Sequence, residues 1–202
     1  MIYLFKYMSM ETKTKTVFIK MKPYLKEFIL GLEDKDGNKL YGPEPIRFSK
    51  KDRICQLIDN LRHKPWPDSI ILKPESRKDR GNFLEVVIEP DPVIRFDDLR
   101  TYLSAYSQTK IAKYIYNQFC AHVYEYVNQD LIFQKRVLPG ETPRKVVAYR
   151  NFCNQYHIMS AEEDSIRKAF DRQAKSFTTE HVKKKFDGRE NIARFQPQFA
   201  GL

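Results

Sequence analysis

Three basic side chains in the C-terminal third of the chain recur at helical spacing. Lys168, Arg172 and Lys175 are four and three residues apart, so on an α-helix they lie along one side. Arginine and lysine in this arrangement can bind phosphate oxygens, and they can also donate to the O6 and N7 acceptors of guanine in the major groove. The chemistry that this pattern predicts is the binding of a polyanion.

Further basic residues flank this stripe on both sides. Arg167 adjoins it, Arg144 and Arg150 precede it, and a run of three lysines follows it. Over the whole chain, 36 Lys and Arg outnumber 26 Asp and Glu, for a formal net charge of +10, and such an excess favours polyanionic partners. The candidate nucleic-acid-binding residues are Arg144, Arg150, Arg167, Lys168, Arg172, Lys175, Lys183, Lys184 and Lys185.

Two short amphipathic helices are predicted to carry most of these residues. The first begins after Thr142, with Pro143 at the position where a missing N–H costs least, and extends to residue 156. The second begins after Ser160, with Glu163 three residues later in a capping-box pattern. Its apolar residues recur at helical spacing beside the basic stripe, so one face is expected to be buried while the other meets solvent.

The segment 142–175 resembles the helix-turn-helix superfamily of DNA-binding proteins, and the chain as a whole is similar in character to small phage or mobile-element proteins. The resemblance implies a non-enzymatic accessory or regulatory protein, as in transcription regulation, whose second helix contacts double-stranded DNA. Two features depart from the family pattern. The connection at 157–160 is longer than the usual turn and lacks glycine. In addition, Glu162, Glu163 and Asp164 place negative charge where the second helix would first approach phosphate.

Two alternatives remain open for the C-terminal third. It can be an ordinary helical hairpin that packs on the N-terminal domain and exposes a solvated basic face. Alternatively, the chain is an interaction or assembly protein, and a homo-oligomer, whose aromatic helices form the interface. Exposed tyrosines beside Lys110 and Lys113 would also suit the stacking of single-stranded bases. The tyrosines of the helical middle are Tyr102, Tyr106, Tyr114, Tyr116, Tyr124 and Tyr126.

No arrangement of residues predicts catalysis, a metal site or a cofactor. The four histidines are scattered, and Cys120 and His122 are two residues apart on a predicted helix, so they point to different sides. With 7 glycines, the chain has no glycine-rich phosphate loop. Acidic residues such as Asp91, Asp97 and Asp98 are typical of caps and surfaces rather than of a nuclease cluster. We therefore expect no enzyme activity, no cofactor and no small-molecule substrate.

The predicted fold is α+β: a small N-terminal antiparallel sheet with a covering helix, a helical middle and a C-terminal helical hairpin. Alternating apolar residues predict strands at 16–21 and 83–89, with a further strand at 70–72. The covering helix is predicted at 50–62, where apolar residues recur at helical spacing.

The segment between the first strand and the covering helix allows two interpretations. Residues 28–33 and 39–48 flank a turn-forming cluster at 34–38, which predicts a β-hairpin. A helix over 24–32 is the alternative for the first half of that hairpin.

The helical middle is predicted to consist of a short helix at 98–105 and a long one at 108–128, capped by a serine. Residues 131–137 are expected to form a short strand or an extended linker. Leu-Pro-Gly at 138–140 is the best candidate for a domain boundary, which gives an N-terminal domain over 1–137 and a C-terminal domain over 138–202.

Localisation is predicted from the cysteines and the first residues. Three cysteines, odd in number and far apart, suit free thiols in a reducing compartment. The apolar opening at 1–7 is too short for a signal peptide or a membrane span. We therefore expect a cytoplasmic protein with no membrane partner. Met8 and Met10 are alternative start positions for the native chain.

Overall fold

The protein is represented by a computed structural model, which describes residues 15–88 and 100–186, with side chains up to residue 177 in the last helix. It has the predicted α+β class, with a small N-terminal antiparallel sheet and helices that dominate the rest. A short 3₁₀-helix, Asp79–Asn82, precedes the second strand. The elements in chain order are β1 Lys15–Lys20, α1 Pro23–Gly31, α2 Arg53–Leu61, β2 Phe83–Ile88, α3 Ala105–Val137, α4 Lys145–Gln155 and α5 Glu163–Phe186.

The sheet consists of β1 and β2, which pair antiparallel from Lys15 opposite Ile88 to Lys20 opposite Phe83. One face of each strand is buried in the core, as the alternation of apolar residues predicts. Ile46 adds a single parallel bridge on the outer side of β2. The strands predicted at 16–21 and 83–89 are thus confirmed, apart from residue 89, which lies outside the described residues.

The predicted hairpin at 28–33 and 39–48 is reduced to a single antiparallel bridge between Glu33 and Lys39, and the helical alternative for its first half is correct. Pro23 occupies the first turn of α1, where its missing N–H is not needed. The apolar residues of α1 then recur at helical rather than alternating spacing and are buried. The turn at 34–38 does form, because the Asp34 carboxylate accepts the backbone N–H groups of Asp36 and Asn38, each at 2.9 Å.

The helical middle is one continuous helix, α3, and both of its predicted ends are corrected. Residues 100–104 are not helical: Tyr102 forms a bridge with His63, and the side chain of Ser104 caps α3 by accepting the N–H of Ser107. Residues 98 and 99 lie outside the described residues. At the other end, the helix continues through 131–137 in place of a strand or linker.

The predicted strand at 70–72 is also wrong, since these residues lie in a loop between α2 and β2. Ile70 and Ile71 are both exposed there. These two apolar side chains therefore lie on the surface of the loop and do not belong to the sheet.

The hydrophobic core is continuous across the predicted boundary at 138–140. Phe28 of α1 contacts Phe119 of α3 at 5.3 Å between ring centroids, and Phe119 contacts Phe152 of α4 at 5.7 Å. Ile166 of α5 is fully buried in the same cluster. The division into domains at 137/138 stays a prediction, but the described residues on its two sides share one core.

Membrane insertion is not indicated by any helix of the described residues. None of these helices combines the length and the apolar character that are needed to cross a lipid bilayer.

Gly31 is required by a close approach between α1 and the segment that follows α4. A methyl group at this position would lie 2.9 Å from the carbonyl carbon of Tyr156 and still closer to its oxygen, and both are backbone atoms. We expect Gly31→Ala to lower the free energy of unfolding by about 2–3 kcal/mol, because the two segments must separate. Urea denaturation followed by circular dichroism measures this change.

A matched control for that substitution is Gly81→Ala. Gly81 has open space where a Cβ would lie, so the same added methyl should change the unfolding free energy by less than about 0.5 kcal/mol. Equal effects of the two substitutions would contradict the close approach.

The stability of this core should depend on pH through His122. Its ring lies between Phe28 and Tyr156, with centroids at 5.3 and 6.4 Å. Burial lowers the pKa of His122 below its ordinary value, although Glu125 opposes the change. In the unfolded chain the group titrates near 6.5, so the unfolded state takes up the proton first as the pH falls.

We therefore expect the unfolding free energy to decrease from about pH 7 to about pH 5, and to decrease less in His122→Gln. Urea titrations of both proteins at each pH provide the measurement. Parallel pH profiles of the wild type and the variant would exclude His122 as the cause.

Candidate nucleic-acid interface

The predicted helical hairpin is present, but both of its helices begin later than expected. α4 begins at Lys145, and Thr142 does not cap it. α5 begins at Glu163, and the hydroxyl of Ser160 donates to Glu27 of α1 instead of capping the helix. The predicted capping box is therefore wrong, because a partner outside the hairpin binds its first residue.

α4 ends in a Schellman motif built without glycine. The N–H of Ile158 donates to the carbonyl of Cys153 at 2.8 Å, and the N–H of His157 donates to that of Asn154 at 3.3 Å. His157 has a φ of +53°, the left-handed conformation that this motif needs. Ile158 is buried beyond it, so the missing glycine noted in the sequence does not prevent a tight helix end.

The connection between α4 and α5 is held by α1. One carboxylate oxygen of Glu27 accepts three hydrogen bonds of 2.9 Å, from the N–H groups of Met159 and Ser160 and from the Ser160 hydroxyl. Gly31 allows the backbone of Tyr156 to approach one turn further along the same helix. No local pattern predicts this contact, since residues 27 and 160 are 133 positions apart.

α5 lies along α3 and forms most of its contacts there. Ile166, Ala169 and Phe170 are buried, and both Phe170 and Phe177 stack on Tyr124 of α3, at 5.3 and 5.1 Å. The second helix of the hairpin is therefore packed lengthwise on a long neighbour.

The basic residues in the first half of α5 are paired with acids. Asp164 binds both Arg167 and Lys168, the latter at 2.5 Å, and these hydrogen bonds lower the pKa of Asp164. Arg150 of α4 lies 3.9 Å from Glu163. Lys168, a member of the predicted stripe, thus projects from a surface whose charge is locally balanced.

Arg172, the second member of the stripe, contacts an aromatic ring of α3. Its guanidinium lies 5.3 Å from the centroid of the Tyr116 ring. Burial nevertheless raises the pKa of Tyr116, so the phenol stays neutral. A cation over a ring face gains attraction from the ring quadrupole while its remaining donors stay available.

Two lysines of α3 extend this surface toward the beginning of that helix. Lys110 lies 4.5 Å from the ring centroid of Tyr106, itself 66% exposed, and Lys113 is exposed one turn further on. Lys110 and Lys113 contact no acidic side chain among the described residues. We define the basic face as Lys110, Lys113, Arg172 and Lys175.

The remaining predicted residues fall at the two ends of the hairpin. The backbone N–H of Arg144 donates to Gln134 of α3 at 2.8 Å, and its side chain is exposed. The segment 183–185 lies within the last turn of α5, so the run of lysines continues a helix and is not a separate arm. Of the nine predicted residues, Arg172 and Lys175 thus lie on the basic face, while Arg150, Arg167 and Lys168 cluster near acids.

Most tyrosines of α3 are part of the core rather than of an exposed patch. Tyr114, Tyr116, Tyr124 and Tyr126 are half-buried and pack against the hydrophobic cluster. Exposed apolar side chains occur instead where α3 ends and α4 begins. These are Ile132, Phe133, Val137, Leu138, Val146 and Val147.

Sites for metal or thiol chemistry are not found in the described part of the chain. Within residues 15–88 and 100–186, no three His, Cys, Asp or Glu side chains are arranged to hold a metal ion. The three cysteines are free thiols, and burial raises the pKa of both Cys120 and Cys153, which makes them poor nucleophiles.

Comparison with known proteins adds no relative, since the chain matches no protein-family model, no curated protein and no solved structure.

Proposed function

We propose that this protein is a non-enzymatic, cytoplasmic accessory protein that binds double-stranded DNA through phosphate contacts made by the basic face and the C-terminal end of α5. The observation that carries the proposal is the contact between Arg172 of α5 and Tyr116 of α3, one helical turn from Lys113. The two helices bring together cations that are far apart in sequence, and Lys110 and Lys113 pair with no acidic side chain among the described residues.

The charge along α5 supports contact by its second half. Acidic residues concentrate in the first turn, at Glu163 and Asp164, and the last turn carries Lys183, Lys184 and Lys185. Phosphate is repelled by the first turn and attracted by the last. We therefore favour a complex in which the C-terminal half of α5 lies along the DNA backbone. The helix-turn-helix resemblance implies a different complex, in which the N-terminus of this helix enters the major groove.

Binding of this kind depends on salt rather than on base sequence. Each phosphate neutralised by Lys or Arg releases counterions, so the logarithm of the affinity falls linearly with the logarithm of the salt concentration. Fluorescence anisotropy with a random duplex of about 30 base pairs, titrated at several salt concentrations, measures the slope directly.

Two double variants, each removing two positive charges, locate the contact. We expect Lys110→Ala/Lys113→Ala to reduce the magnitude of the salt slope by up to about 2, because two phosphate contacts are lost. We expect Arg167→Ala/Lys168→Ala, the matched control, to reduce it by less than about 0.5, because Asp164 already balances these cations.

If Arg167→Ala/Lys168→Ala reduced the salt slope more than Lys110→Ala/Lys113→Ala, the contact would lie on the first half of α5. That result would contradict binding by the basic face. Absence of binding by the wild type, even at low salt, would exclude the nucleic-acid function altogether. Comparison with a single strand of the same length distinguishes duplex binding from base stacking on Tyr106.

Assembly of the chain with itself is the second candidate function, and one observation favours it. The apolar side chains at the end of α3 and the start of α4 are adjacent, since Gln134 holds Arg144 at 2.8 Å, and Phe133 remains 62% exposed. Exposed apolar clusters of this kind often mark protein interfaces.

We expect self-association through this cluster to disappear in Phe133→Ser/Val137→Ser, which removes two apolar side chains one helical turn apart. Sedimentation velocity at several protein concentrations checks this expectation. A wild type that remains monomeric at the highest concentration would exclude assembly and leave DNA binding as the sole candidate.

A further inference from the structure

The two edges of the small sheet differ in how their backbone groups are hydrogen-bonded. On the outer side of β2, Ile46 exchanges hydrogen bonds with Glu85 and Val87, at 2.9 and 2.8 Å. The N–H of Glu85 also donates to the carboxylate of Glu44, and Lys26 donates to the carbonyl of Phe83, each at 2.9 Å. Most backbone groups along this edge are therefore hydrogen-bonded.

Among residues 15–88 and 100–186, the outer edge of β1 has partners only at one end. The N–H of Met21 donates to the carbonyl of Asn82, which extends the register, so odd-numbered residues of β1 turn their backbone groups toward β2. Even-numbered residues turn theirs outward. Lys20 uses its N–H to bind the side chain of Gln108 at 2.9 Å, whereas the outward groups of Thr16 and Phe18 have no backbone partner among the described residues.

An open cleft of about 290 Å³ lies along this unpaired edge. Its walls are residues 15–18 of β1, residues 71–73 of the loop before β2, and residues 101–103 before α3. Its lining is largely apolar, and Ile71 presents 59% of its surface to solvent. The volume is at the lower end of the range of about 300–1,000 Å³ typical of ligand pockets, which suits a few side chains of an extended peptide.

The charges at the cleft select the chemistry of such a peptide. Lys15 and Lys73 belong to the lining, and none of the described residues that line the cleft is acidic. An added strand places alternate side chains on opposite faces of the sheet. The apolar lining favours apolar side chains in that strand, and the two lysines favour acidic ones.

We propose that the cleft binds an extended peptide of alternating acidic and apolar residues, which adds a third strand to the sheet by pairing with the backbone of Thr16 and Phe18. Main-chain hydrogen bonds supply the affinity, and the cleft and its lysines supply the specificity, as in other β-augmentation sites. A two-stranded sheet is marginal by itself and gains from a third strand. The site is separate from the basic face, since Gln108 and Lys110 are two residues apart on α3 and point to different sides.

The test uses an acetylated heptapeptide of alternating valine and glutamate, added to the full chain labelled with ¹⁵N. We expect saturable shifts of the amide signals of residues 15–18 and slower hydrogen exchange at Thr16 and Phe18. A peptide methylated on the alternate nitrogens that face β1 cannot donate to it, and we expect its affinity to fall about 10-fold or more.

The charge of the cleft is tested by Lys15→Glu/Lys73→Glu, which alters two exposed side chains. We expect this variant to bind the valine–glutamate peptide at least about 5-fold more weakly and to prefer a valine–lysine peptide. Duplex DNA binding should be unchanged, so failure of this site and failure of the DNA function are distinguishable. Unchanged amide signals at Thr16 and Phe18 at saturating peptide, or equal affinity of the methylated peptide, would overturn the proposal.

Discussion

The rest of the structure depends on the packing of Phe28 against the aromatic rings of α3 and α4. This one side chain of α1 is fully buried and meets Phe119 and His122 of α3 and Phe152 and Tyr156 at the end of α4, all within 6.4 Å between ring centroids. α1 is short, with no capping side chain, and would be marginal alone in water. Its helical structure is stabilised by this aromatic cluster, and in turn it joins the N-terminal sheet to the C-terminal hairpin.

The same helix determines where the basic face forms. With Phe28 in place, Glu27 binds the connection between α4 and α5, and Gly31 lets that connection approach closely. The connection fixes the start of α5, and the stacking on Tyr124 directs α5 along α3. Only this direction brings Arg172 over Tyr116, on the side of α3 that carries Lys113. A change at the buried face of α1 should thus disturb a charged surface that α1 does not contact.

The sequence was sufficient for features that rest on local periodicity, and insufficient for those that rest on distant contacts. The strand at 16–21 and the hairpin helices follow from apolar spacing, and the basic stripe follows from the same rule. Spacing alone could not separate helix from strand at 24–32, because short apolar segments suit both. The predicted helix cap at Ser160 is wrong because the Ser160 hydroxyl donates to Glu27 instead. By contrast, the pairing of Lys168 with Asp164, four residues earlier, is a local contact that the same helical spacing could have predicted.

The polarity of α5 explains how one helix can be both stable and suited to a polyanion. Glu163 and Asp164 in its first turn interact favourably with the positive end of the helix dipole. Replacing them by cations, as insertion of the N-terminus into the major groove would require, would weaken the start of the helix. The distribution that stabilises the start of α5 therefore favours its second half as the part that would meet phosphate in the proposed complex. There the combined charge of α5 and of Lys110 and Lys113 on α3, rather than a single residue, would set the attraction.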